Sequence, residues 1–155
     1  MQESAAALPE TITIAARFCG PPESGNGGYT CGRLAARLAG PVEVTLRRPP
    51  PLDRPLAVLR SGDGLVLADG GAPVAEARPT RFELEPPHCP GLGAATEAAS
   101  HYHGLEEHAF PTCFVCGPGR APGDGLRIFA GELAGDGLVA CPWTPGAGLG
   151  GRMAT

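Results

Sequence analysis

Two groups of residues have types and spacings that could do chemistry. The first lies in RFCGPPESGNGGYTCGRLAARLAG, Arg17 to Gly40, where Glu23 and Asn26 stand beside Gly27 and Gly28. Glycine is costly to order, so a glycine cluster marks a sharp turn or a close approach to the backbone. A helix starting at such a turn leaves N–H groups without partners and carries partial positive charge. Glu23 is the nearest carboxylate to it, and a carboxylate there could take a proton from water. Asn26 could orient that water or serve only as the helix N-cap of a tight strand-to-helix turn. The glycine spacing is neither the dinucleotide nor the P-loop pattern.

The second group is Cys113-Phe-Val-Cys116. A closed zinc site needs four ligands, and one C-x-x-C supplies two. His88, Cys89, His101, His103 and His108 could add others, but no second pair has a familiar spacing, so no metal is expected. His101 and His103 face opposite ways on a helix and together only on a strand. No βαβ pattern surrounds the cysteines, which weighs against a thioredoxin-like role. The alternative is a pair of small buried residues holding a turn, with Phe114 in the core.

Composition narrows the classes. The chain has 155 residues, enough for one domain with a real core. Net charge is −4 and aromatic content 5%, so a phosphate-binding or base-stacking surface is disfavoured and no nucleic-acid partner is expected. The start, MQESAAALPE, lacks the basic and apolar regions of an export signal. No apolar run reaches the ~18 residues of a membrane span. A cytoplasmic protein without membrane association, its six cysteines reduced, is therefore expected.

The elements that must position these residues read in order. TITIAARF (11–18) alternates as a strand. Gly28 to Ala39 reads as a helix of about three turns, closed by Gly40-Pro41. Its wheel places Thr30, Arg33 and Arg37 on a polar stripe, with Cys31, Leu34, Leu38 and small residues elsewhere, the pattern of a buried helix. Strands follow at 42–48, 55–61, 64–69 and 73–84, joined by short turns that imply antiparallel neighbours. The expected organisation is a core at 11–84, a linker at 85–125 with a short helix at 94–103, a hairpin at 126–143, and a disordered tail at 144–155.

Strand, glycine turn, long helix and antiparallel meander form an α+β arrangement, a curved sheet wrapped around one helix. GPPESGNGGYTCGRLA, GPVEVTLRRPPPLDRPLAVLR and DGGAPVAEAR together resemble the thioesterase-like hot dog proteins that act on or bind acyl-CoA. The resemblance covers about residues 11–84. HAFPTCFVCGPGRAPGDGLRIFAG resembles the segment opening a second hot dog half in longer relatives. Only one hairpin follows it here, so either a shortened member or an incomplete two-hot-dog protein is expected.

The resemblance implies a site at the start of the helix. The amides of Gly27, Gly28 and Tyr29 would face a thioester carbonyl, whose oxygen gains charge on attack. Glu23 and Asn26 would be the catalytic pair. Many hot dog thioesterases carry an Asp or Glu on the central helix, and this helix has none. The implied function is binding, with or without hydrolysis, of acyl-CoA or another acyl thioester. The alternatives are a non-catalytic acyl-CoA-binding protein and a structural or interaction subunit with a closed pocket. Coenzyme A enters as part of the ligand, and no separate cofactor is implied. Arg33 and Arg37 could meet its phosphates, or form a solvated or subunit-facing stripe. An uncovered helix side and sheet edge imply a homodimer.

Overall fold

The computed structural model describes residues 10–135 and 137–146. The chain divides into two compact units, one from Met1–Ala16 and Glu23–Glu83, the other from Arg17–Pro22 and Leu84–Thr155.

The first unit holds a five-stranded antiparallel sheet and one helix. Its strands are β1 (Thr11–Thr13), β2 (Val42–Leu46), β3 (Pro55–Ser61), β4 (Gly64–Asp69) and β5 (Ala72–Pro79), with α1 (Gly27–Ala35) between β1 and β2. The sheet order is β1-β3-β4-β5-β2. Two tight hairpins build its centre. Ser61 pairs with Gly64 across the first, and Asp69 pairs with Ala72 across the second. Gly70 and Gly71 both have positive φ, the backbone that a two-residue turn between right-twisted strands requires. Ile12, Ile14, Leu34, Leu56, Leu67 and Val74 are fully buried. Each contributes roughly 1.5–3 kcal/mol by leaving water. The β2–β5 register is braced by exposed ion pairs, Arg78 to Glu43 at 2.6 Å and Arg47 to Glu76 at 2.6 Å.

Three elements depart from the sequence expectation. The strand expected over 11–18 stops at Thr13. Asp53 turns the chain there: its N–H donates to the Ile14 carbonyl at 2.9 Å, and its carboxylate accepts from the Ala16 N–H at 2.9 Å. The strand expected to run to Leu84 ends at Pro79, which lacks the N–H a ladder needs. The long helix is nine residues, ending at Ala35. Beyond it Arg37 and Leu38 donate to carbonyls three residues back, so the chain tightens into turns before Gly40.

Helix α1 is also not buried all round. Thr30 and Leu34 are fully buried, whereas Gly28, Gly32 and Ala36 are exposed. Thr30, read as part of a polar stripe, faces inward instead. Its hydroxyl donates to the Asn26 carbonyl at 2.9 Å, which satisfies it without water.

The second unit contains α2 (Leu92–Ser100), a 3-10 turn at His103–Leu105, and a minimal hairpin of β6 (Gly131–Glu132) and β7 (Val139–Ala140). The hairpin expected over 126–143 is thus two residues on each side, and Asp136 in its turn lies outside the described residues. Residues 85–125 carry part of this unit's own core: Ala95, Ala98, Cys113 and Phe114 are buried. Phe18 meets Phe114 edge-on at 4.8 Å between ring centroids. Of the tail expected over 144–155, residues 147–155 lie outside the described residues.

Candidate functional site

The glycine turn is built to present the start of α1. The Gly25 N–H donates to the Pro50 carbonyl at 2.8 Å, and Gly25 is buried. A Cβ at Gly25 would stand 2.9 Å from Ile14 Cγ2 and 3.2 Å from both Pro50 Cβ and Thr30 Oγ1. Only glycine lets the chain pass there. Gly28 is the opposite case: a Cβ there would meet nothing nearer than Asn26 Oδ1 at 3.5 Å.

Asn26 is the N-cap. Its Oδ1 accepts from the Tyr29 N–H at 3.0 Å, and its carbonyl accepts from the Thr30 N–H at 2.9 Å. The Thr30 bond is the first regular bond of the helix, so one of the four orphan amides of the helix start, that of Tyr29, is taken by the cap. Tyr29, one of the three amides expected to face a ligand, spends its N–H on the cap. Among the described residues, no protein acceptor takes the N–H groups of Gly27 and Gly28. These two amides are what the turn offers to an anion or a polarised carbonyl.

The other expected participants are spread apart. Glu23 is exposed and makes no hydrogen bond or ion pair to a described residue. The Tyr29 hydroxyl accepts from Arg33 Nη1 at 2.9 Å, and the Arg33 guanidinium also lies 5.8 Å from the Tyr29 ring. Arg37 pairs with Glu10 at 2.9 Å and donates to the Arg33 carbonyl at 3.0 Å. Both arginines are thus committed within the unit. Burial pushes the Cys31 thiol above its ordinary pKa, which keeps it protonated and a weak nucleophile.

The Cys113–Cys116 loop forms a second, denser arrangement. The two Sγ atoms lie 3.5 Å apart. The Tyr102 side chain lies close enough to Cys116 for the two to influence each other's titration. Burial first, then the interaction with Cys116, drives the Tyr102 hydroxyl up to about 12. The Cys116 thiol is raised as well, mainly by burial and then by Cys113. Arg120 ties the loop down: its Nε donates to the Thr112 carbonyl at 2.7 Å and its Nη2 to the Arg17 carbonyl at 2.5 Å. Among the described residues no three His, Cys, Asp or Glu side chains converge to hold a metal. C-x-x-C was legible in the sequence, but the Tyr102 and Arg120 partners were not. Both depend on chain segments brought together by folding.

Sequence reasoning also missed a cavity in the second unit. It has a volume of about 780 Å³ and is lined by His88, Glu97, His101, His103 and Glu132 among others. Ala94, Glu97, Ala98 and His101 reach it from one face of α2, at helical spacing. His101 and His103 both line it because α2 ends between them: His101 is the C-cap and His103 begins the 3-10 turn. The Glu97/His101 spacing was the available signal. A second depression lies on the first unit's sheet, bordered by the charged pairs of β2 and β5.

The class that the first unit defines is therefore an α+β unit, an antiparallel five-stranded sheet with a helix inserted after its first strand. No helix among the described residues is long and apolar enough to cross a membrane. No family model, no curated protein and no solved structure matches the chain.

Proposed function

We propose that the first unit is a hot dog-type unit that binds an acyl thioester, acyl-CoA being the representative ligand, at the N-terminus of α1. The observation that carries this reading is the sheet order β1-β3-β4-β5-β2 with a helix between β1 and β2, capped at a turn that leaves the amides of Gly27 and Gly28 available. Those N–H groups would donate to the thioester carbonyl oxygen. Binding without turnover is favoured over hydrolysis. Glu23 is exposed, α1 carries no carboxylate, and the Asn26 side chain already holds the helix cap. A homodimer through the exposed parts of α1 or the sheet edge belongs to the same reading.

The test is calorimetric titration with short- and long-chain acyl-CoAs, alongside chromatographic detection of hydrolysis. Chromatography is needed because the protein's own six thiols would confuse a thiol-release assay. Saturable binding without hydrolysis is expected, with a melting temperature that rises with ligand. Hydrolysis suppressed by Glu23→Gln would instead restore the catalytic role of Glu23. A second reading, a structural or interaction subunit, is favoured by one fact: neither cavity described above is lined by residues 23–29. Absence of any acyl-CoA binding would select it.

A further inference from the structure

We propose that Cys113 and Cys116 are a reversible thiol–disulfide site that closes by exchange with a low-molecular-weight disulfide such as oxidised glutathione. The geometry is the first reason. The two Sγ atoms are 3.5 Å apart with both cysteines reduced. A disulfide bond is ~2.05 Å, so closing it needs only a small side-chain movement.

The loop is also held so that the sulfurs stay close. Cys113 N–H donates to the Phe110 carbonyl, and Gly117 N–H donates to the Cys113 carbonyl, both at 2.9 Å. Between the cysteines, Phe114 donates to the Cys19 carbonyl at 2.8 Å and accepts from the Leu126 N–H at 2.8 Å. A Cβ at Gly117 would lie 2.4 Å from the Pro111 carbonyl oxygen, so a glycine after Cys116 permits the tight return. Preorganisation of this kind makes the second, intramolecular step fast. A short loop gains little stability from cross-linking, which keeps the bond easy to reduce.

Access gives the site a direction. Cys116 is half-buried, whereas Cys113 is 5% exposed. The Cys116 thiolate therefore attacks one sulfur of the incoming disulfide. That S–S bond breaks, a Cys116 mixed disulfide forms, and one glutathione thiolate leaves. The Cys113 thiolate then attacks Cys116 Sγ and expels the second glutathione. Two electrons pass from the protein dithiol to the small disulfide. The two cysteine protons end on the two released thiols. Tyr102, whose side chain interacts with Cys116 and favours its thiolate, is a positioning residue for the attacking sulfur. Cys19 does not compete: its thiol is 5% exposed and donates to the Thr112 carbonyl at 3.3 Å.

The experiment equilibrates the full chain in glutathione buffers of graded redox poise, quenches with acid, alkylates and measures intact mass. The expected product has lost two hydrogens and regains them with dithiothreitol. Trypsin leaves Cys89, Cys113 and Cys116 on one peptide, Phe82 to Arg120, so fragmentation must assign the bond. Cys113→Ser is expected to stop at a single glutathione adduct on Cys116. Tyr102→Phe is expected to slow capture of Cys116 at fixed pH severalfold without changing the final disulfide yield. Because burial raises the Cys116 thiol, capture in the parent should accelerate as pH rises toward and past 9. A bond to Cys89 or Cys19 in place of the 113–116 bond would overturn the proposal. So would failure to close in buffers that oxidise a free C-x-x-C peptide, or bound zinc that shields both thiols.

Discussion

Two glycines three residues apart, Gly25 and Gly28, should respond to the same substitution with opposite signs. An added methyl at Gly25 would stand 2.9 Å from Ile14 Cγ2, with Pro50 and Thr30 at 3.2 Å on its other sides. Ile14 and Thr30 are fully buried, so the methyl has no solvent to escape into. The neighbours must move, and overpacking of this kind costs about 1–3 kcal/mol. At Gly28 the methyl meets only the cap oxygen at 3.5 Å, and the residue is exposed in α1. There Gly28→Ala should stabilise by up to about 0.5–1 kcal/mol, because alanine loses less backbone freedom on folding. For a domain of this size class, each kcal/mol moves the melting temperature by about 4–8 °C. Thermal unfolding followed by circular dichroism should thus show Gly25→Ala falling by several degrees or more and Gly28→Ala rising by a few. Acyl-CoA titration adds the functional arm. If a ligand approaches the helix start, Gly28→Ala should bind more weakly while melting higher. Two variants that shift in the same direction would refute the packing argument. A more stable Gly28→Ala with undiminished acyl-CoA affinity would remove the ligand from this turn.

Asn26→Ala should cost about 0.5–2 kcal/mol through loss of the cap, and Asn26→Asp should retain most of it; chemical denaturation separates them. Stability should fall as pH rises from 10 through 12, because the raised Tyr102 leaves the folded chain holding a proton that the unfolded chain has released. Tyr102→Phe should reduce that alkaline loss in pH-dependent melting curves. Arg78→Ala should cost no more than about 1 kcal/mol by denaturant titration, since its bond to Glu43 is exposed and high salt should weaken it equally. Protein purified without added zinc should carry less than about one tenth of a metal ion per chain by elemental analysis, because a closed site needs four ligands.

The sheet was legible wherever turn chemistry was local. Residues 55–61 and 64–69 form the strands expected of them, since SGDG and ADGGAP fix two hairpins within a few residues. Asn26 was legible as the N-cap for the same reason. What the sequence concealed depends on distant partners. Nothing near Ile14 announces that Asp53 will end β1, and nothing in the helical wheel says that Thr30 faces the sheet. The wheel gives relative positions on α1, whereas the packing partner chooses which side turns inward. The cavity in the second unit was hidden likewise, because its histidines converge only through the end of α2.

The chain visits the second unit at Arg17–Pro22, returns to the first, and comes back at Leu84. The Cys19 thiol and its acceptor, the Thr112 carbonyl, are 93 residues apart in sequence. During synthesis at ~5–20 residues per second, Phe18 and Cys19 therefore wait roughly 5–20 s for their partners after leaving the ribosome. For that interval a ring destined for half-burial and a thiol destined for burial precede the rest of their own unit. A nascent chain arrested before Phe114 should leave both more exposed than they are in the finished unit.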